Sequence, residues 1–226
     1  MGIVTGDIAV NQVGYHLFDQ RMDQVMLPYC LKHNIGFMAA DEIVRRHSFS
    51  TYRRKFEGQI AEGKLAAEKV IVVKPNTFMN ESGRSVGAAV SFYKLMPEDV
   101  IVFHDEIDLI AGKIRVKRGG DHAGHNGLRS IHCHIGEDYA RVRFGVGHPG
   151  HKDRVASHVL KDFAKSDQDW LGKVLDGAAE NIELLIRGDD NEFMNRVALN
   201  VKPPTKNEGQ DQTPLVTQRD GKRDAD

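Results

Sequence analysis

Residues 69–103 read KVIVVKPNTFMNESGRSVGAAVSFYKLMPEDVIVF, and three elements follow from them. Lys69-Val-Ile-Val-Val-Lys74 is a β-branched run fit for a buried strand. Gly83 to Leu95 reads as a helix, halted before Pro97 because the residue ahead of a proline avoids helical angles. Val100-Ile-Val-Phe103 is the next buried strand. A strand, a helix and a strand in this order are the unit of an α/β sheet.

The pattern continues on both sides. Upstream, Phe37-Met38 with Ile43-Val44 mark an amphipathic helix that follows His33. Downstream, Lys113-Ile-Arg-Val-Lys117 alternates apolar and basic residues at period two, which predicts an edge strand with one solvated, cationic face. Arg141-Val-Arg-Phe-Gly-Val146 alternates likewise. Between these strands lies Gly119-Gly-Asp-His-Ala-Gly-His-Asn-Gly127, with four glycines in nine residues, and a helix is expected from about Leu128. Such a loop lets backbone and short polar side chains approach a ligand closely. Helices are expected from beyond Asp153 to about Leu199, including Trp170 to Ile186. The expected fold is α/β, a single domain whose twisted, mixed, mostly parallel sheet is flanked by helices on both faces. Residues 201–226 hold almost no large apolar side chains and read as a disordered polar tail.

The 226 residues suit one sizeable α/β domain. Hydrophobic residues make up 40% and charged residues 28%, with a mean hydropathy of -0.43, the composition of a soluble protein. No apolar run reaches the roughly 18 residues that span a bilayer, and no secretory pattern opens the chain, so a cytoplasmic location is expected. Cys30 and Cys133 are the only cysteines; without a CxxC pair they read as reduced packing residues. A net charge of -1 gives no global attraction to nucleic acid, so such binding needs a local cationic cluster.

Polar residues cluster in Lys32-His33-Asn34, Thr77-Phe-Met-Asn80 and His104-Asp105-Glu106, and the Gly-rich loop adds His125-Asn126. In α/β sheets ligands bind beyond the carboxyl ends of strands, so residues just after Lys74 and Phe103 are placed to converge. A histidine can take a proton from water, a carboxylate can fix its tautomer, and amide NH2 groups can hold a carbonyl. That combination suits hydrolysis by activated water and requires no metal or cofactor.

The segments His33-Asn34-Ile-Gly-Phe37, Pro75-Asn-Thr-Phe-Met-Asn-Glu-Ser-Gly83, His104-Asp-Glu-Ile-Asp-Leu109, Gly119 to Gly127 and Gly145-Val-Gly-His-Pro-Gly150 resemble, in order and near spacing, the motif series of bacterial peptidyl-tRNA hydrolases. The likeness covers about Lys32 to Val197. It implies His33 as general base and Asp105 as the carboxylate that orients it. It implies Asn80, with Met79 beside it, and Asn126, with His125 adjacent, as substrate-binding residues. Arg115, Lys117 and Arg143 would form the basic patch for the tRNA 5′-phosphate and acceptor stem, binding phosphates without reading sequence. The implied reaction is hydrolysis of the ester between a peptide and the 3′-terminal ribose of tRNA, by a monomer that binds no membrane.

Other readings stand beside this one. Arg115, Lys117 and Arg143 also fit a solvated sheet face. Gly83-Arg-Ser-Val-Gly87 has the GxSxG pattern of serine hydrolases, but Ser85 falls within an expected helix rather than at the end of a strand. His122, His125, His132 and His134 fit no common zinc spacing. The competing class is a tRNA-binding module with an impaired active site. Residues 1–31 give that class its basis, because they lack the family's Gly-Leu-Gly-Asn-Pro-Gly type turn. Asp23 stands where that turn's asparagine belongs, and Tyr29 lies four residues before His33 instead of five. A frame error replacing the true start accounts for the abrupt onset of likeness at Lys32. If the sequence is genuine, the first strand and one substrate-binding amide are expected to be missing. The resulting division is an atypical segment 1–31, a domain over 32–200 and a tail over 201–226.

Overall fold

The computed structural model describes residues 3–5, 34–151, 158 and 161–201. Helix α1 (Ile35–Arg46) starts where Asn34 stops the chain: its Oδ1 accepts from the backbone N–H of Gly36 at 2.9 Å and of Phe37 at 3.3 Å. Ile35, Ala39, Ala40 and Ile43 recur at helical spacing and are buried. Arg45 and Arg46 occupy the last turn, where cations favour the helix dipole.

Three strands follow, of which only the last was expected. β2 (Arg53–Lys55), β3 (Gly58–Leu65) and β4 (Glu68–Pro75) form an antiparallel sheet in that order. Lys55 pairs with Gly58 and Leu65 with Glu68, so both connections are two-residue hairpins. Their turn residues are Phe56 and Glu57, at φ 55° and 52°, and Ala66 and Ala67, at φ 50° and 67°. Positive φ at both central positions is the primed turn that suits strand twist, normally supplied by Asn-Gly. Here non-glycine residues adopt it, at a conformational cost.

The second sheet carries the order β1-β5-β7-β6. β1 (Ile3–Thr5), β5 (Val100–Glu106) and β7 (Ala140–Gly145) run parallel, and β6 (Ile114–Arg118) is antiparallel at the edge. The mixed, mostly parallel character expected of the main sheet therefore holds. The expectation that the first 31 residues lack a strand does not. Ile3, Val4 and Thr5 are all β-branched, the residue type that favours extended backbone, and they pair with Val100, Ile101 and Val102. Most of the segment 1–31, and the tail beyond Val201, lie outside the described residues.

Period two divides the sheet's side chains between two cores. Ile101, Phe103, Ala140, Val142, Phe144 and Ile114 face α1, α4 (Gln168–Glu180) and α6 (Asp190–Val201). Val100, Val102 and Tyr139 face α2 (Ser82–Tyr93) and α3 (Asn126–Ile135). Helices thus cover both faces, as expected. α2 ends at Lys94, in the left-handed region at φ 55°, with Leu95 N–H donating to Val90 O at 3.0 Å. The expected helix from Trp170 to Ile186 breaks at Asn181, and α5 (Ile182–Ile186) follows. Cys133 is exposed, a correction to its reading as a packing residue: α3 buries Leu128 and Ile131, and Cys133 falls on its solvent side. Cys30 lies outside the described residues. Among the described residues no helix is long and apolar enough to cross a membrane.

α2 and α3 meet at Gly83, whose N–H donates to Ser130 Oγ at 3.0 Å. A Cβ there would run into the Ser130 carbonyl and His134 Nδ1. Gly83→Ala is expected to cost about 1–3 kcal/mol, the usual range for overpacking, read as a lowered denaturation midpoint at unchanged m-value. An unchanged midpoint would mean that the two helices are free to separate.

Candidate active site at the carboxyl ends of the parallel strands

β5 ends in His104-Asp105-Glu106, and alternation sends these side chains to opposite faces. Asp105 shares a face with Phe103 and looks toward the start of α1. It lines a cavity of about 210 Å³ with Asn34, Ile35, Val146, Lys161 and Trp170. His33 lies outside the described residues, one position before Asn34. Asn34, the residue that follows it in sequence, is the N-cap of α1 and lines this cavity.

His104 points the other way, into the space beneath the Gly-rich loop. A second cavity of about 140 Å³ is lined there by His104, Asp105, Lys117, His125, Arg141 and Arg143, among others. His104 is 2% exposed, and its Nδ1 meets its neighbour's carbonyl, Asp105 O, at 2.7 Å. Burial pulls its pKa from 6.5 down to about 4, against the hydrogen bond to Asp105 and the charge of Glu106. His125 is the N-cap of α3, its Nδ1 accepting from Leu128 N–H at 3.1 Å. Burial likewise lowers its pKa well below the usual histidine value, and the nearby His104, His122 and Arg141 push the same way. Asn126 follows as the first residue of α3, and its Oδ1 accepts from Arg129 Nη2 at 2.7 Å.

Arg141 builds the loop. It is 3% exposed, so the alternating run on β7 is not a uniformly solvated cationic face. Its Nη1 donates to Asp121 O at 2.8 Å and its Nη2 to Gly120 O at 2.8 Å and to Gly119 O. Gly119, Gly120 and Gly124 sit at φ +63°, +81° and +79°, backbone that glycine adopts without strain. The loop therefore needs both its glycines and this guanidinium.

The three residues expected to form a basic patch differ in their exposure and partners. Arg143 spends its guanidinium on Glu106, with Nε and Nη2 at 2.9 and 2.8 Å from Oε2. Arg115 lies opposite Arg143 in register and is exposed. Lys117 is exposed opposite Arg141, and no hydrogen bond or ion pair engages its side chain among the described residues. Met79 and Asn80 form part of a short 3-10 turn, Met79–Glu81, that packs on α3. Asn80 is exposed and Met79 half-buried; these two, Asn126 and Arg115 line neither cavity.

The roles that sequence reasoning passed over are those of His104, of Glu106 in its pairing with Arg143, and of Arg141. Period two offered a signal for Arg141, since it shares a face with Arg143. Nothing in the sequence marked it as buried. Ser85, of the GxSxG pattern, is fully buried in α2. Among the described residues no group of three or more His, Cys, Asp or Glu could hold a metal ion.

The family model described as Peptidyl-tRNA hydrolase matches residues 30–207. A peptidyl-tRNA hydrolase of Cereibacter sphaeroides (strain ATCC 17029 / ATH 2.4.9) is 60% identical over 173 residues, covering 76% of this chain and 77% of that one. One of Ruegeria sp. (strain TM1040) is 59% identical over 179 residues, covering 79% of this chain and 72% of that one. A crystal structure of a peptidyl-tRNA hydrolase complexed with n-propanol superposes with a TM-score of 0.72 at 33% identity, over 90% of this chain and 96% of that one. The peptidyl-tRNA hydrolase of Acinetobacter baumannii gives 0.71 at 33% identity, over 87% of this chain and 94% of that one.

Proposed function

The chain belongs to the peptidyl-tRNA hydrolase family, and from that premise we propose that it hydrolyses peptidyl-tRNA at the cavity beside Asp105. The reaction is the cleavage by water of the ester between the peptide and the tRNA ribose. The observation that carries the placement is that Asp105 and Asn34, the residue after His33, line one cavity.

His33 takes a proton from water, Asp105 fixes the imidazole tautomer and favours the imidazolium that forms, and the hydroxide attacks the ester carbonyl. The amides of Asn80 and Asn126 hold the peptide and the developing oxyanion. The oxygen of Asn126 is held by Arg129, which leaves its NH2 group to donate. The ester C–O bond breaks, and the 3′-hydroxyl leaves with the proton returned by His33. Met79 and His125 support the two asparagines. Arg115, Lys117 and Arg143 receive the 5′-phosphate and acceptor stem, with Lys117 contributing most because Glu106 already neutralises Arg143. The enzyme acts as a cytoplasmic monomer, with residues 32–200 as its working domain and 1–31 and 201–226 as flanking segments.

The test is turnover of a peptidyl-tRNA by the purified full chain, read as released peptide. Lys117→Ala is expected to raise KM about tenfold with kcat within about twofold, and to lower the slope of binding against salt by about one phosphate contact. Removing the tRNA 5′-phosphate should erase the difference between wild type and variant. Retained tRNA binding without turnover would overturn the hydrolase reading, and equal effects on both tRNAs would overturn the phosphate assignment.

A further inference from the structure

Two buried histidines beneath the Gly-rich loop have hydrogen-bonding states that their backbone partners dictate. A carbonyl only accepts, so His104 must donate Nδ1–H to Asp105 O at 2.7 Å, and its Nε2 then carries a lone pair. A backbone N–H only donates, so His125 Nδ1 must accept from Leu128 at 3.1 Å, and neutral His125 then carries its proton on Nε2. Both Nε2 atoms are buried and have no hydrogen-bond partner. The rings meet edge to face, with centroids 4.8 Å apart and planes at 75°. An orphaned donor and an orphaned acceptor thus belong to adjacent rings that line one cavity, and a single bridging water would satisfy both.

We propose that His104 and His125 form a neutral complementary pair, in which one water bridges the Nε2–H of His125 to the Nε2 lone pair of His104, so that His104 acts as a positioning residue for Asn126. The part played by Asn126 rests on the functional reading above; the pair itself does not. A ring flip or protonation of His125 would end its capping bond to Leu128, and Asn126 is the next residue along. The acceptor on His104 makes the capping orientation the one that satisfies both nitrogens. Burial and the charges around the pair keep both rings neutral near pH 7: Arg141 and Arg143 oppose protonation of His104 while Glu106 favours it, and His122 and Arg141 oppose protonation of His125. Asp105, Asp121 and Lys117 line the same cavity.

The experiment is long-range 1H–15N correlation on the full chain with 15N-labelled histidine, followed from pH 8 to 5.5, with kinetics of two variants. The wild type is expected to show His104 protonated on Nδ1, His125 on Nε2, and neither titrating. In His104→Leu, His125 should populate both tautomers, with kcat lowered about tenfold, the scale of one buried hydrogen bond, and KM within about threefold. His104→Gln, whose carbonyl reaches toward the Nε2 position, should recover kcat to within about threefold. Equal losses in Leu and Gln would overturn the pair, as would His104 protonated on Nε2 or His125 titrating near 6.5. If the leucine variant does not fold, the wild-type tautomers decide. A chain with both tautomers as assigned but no turnover would support the pair and overturn the hydrolase reading.

Discussion

Alanine at His33 is expected to lower kcat for peptidyl-tRNA by about 10²–10⁴-fold, the contribution of a positioned general base, with KM within about threefold. Asp105→Asn should fall by a similar factor while keeping the side chain's volume. The asparagine would present either a neutral oxygen or an NH2 group to the imidazole, and neither favours the imidazolium as a carboxylate does. The two losses should not multiply in the double variant, because a base and the group that orients it act as a unit. The geometry limits what else could do this work. Asp105 is half-buried at the end of β5 and opens on the same cavity as Asn34, and Ser85, the other hydrolytic candidate, is sealed inside α2. Single-turnover release of peptide, measured for wild type, both single variants and the pair, is the check. Alanine at His33 retaining a third of wild-type kcat would remove it from the role of base, and strictly multiplicative losses would separate Asp105 from it.

What could be read from the sequence follows from periodicity. β4, α2, β5, β6 and β7 appear where the alternation or helical spacing placed them, because each puts a β-branched run or an apolar stripe against a core. β2 and β3 were invisible for a local reason. Their hairpins turn on Phe56-Glu57 and Ala66-Ala67 at positive φ, whereas the sequence signals for such turns are glycine and asparagine. β1 was missed because three β-branched residues in an unfamiliar segment make too short a pattern. Asp105 could be found from its place after a strand, but Arg141 and His104 could not. Their roles come from cross-strand register and from the loop and helix that close over them, which no local pattern encodes. The reading of Arg143 as part of a basic patch did not include Glu106, which lies on β5 and meets it across the strand pair.

The same buried histidines govern acid stability. On unfolding, His104 returns from about 4 to 6.5, so between those values the unfolded chain binds a proton that the native chain refuses. Linkage then makes stability rise with pH across that window. The contribution is fully present above about 6.5 and is lost as pH falls toward 4. At about 1.4 kcal/mol per pKa unit, this one ring is worth on the order of 3 kcal/mol, a large share of a typical domain's stability. With the side chain only 2% exposed, solvent screening does little to reduce it. His125 and His132, both lowered by burial, add losses of the same sign. The carboxylates of Glu42 and Glu62, held low by hydrogen bonds to Arg45 and Tyr93, also destabilise on protonation, but only below their ordinary value of 4.5. The two classes therefore separate by pH. Urea unfolding should show stability falling between pH 6.5 and 4.5, before carboxylates titrate, and His104→Leu should lose about 3 kcal/mol less than wild type between pH 7.5 and 4. A wild type whose stability is flat down to pH 4.5 would mean that His104 gains its proton in the folded chain, which its burial beneath the Gly-rich loop opposes.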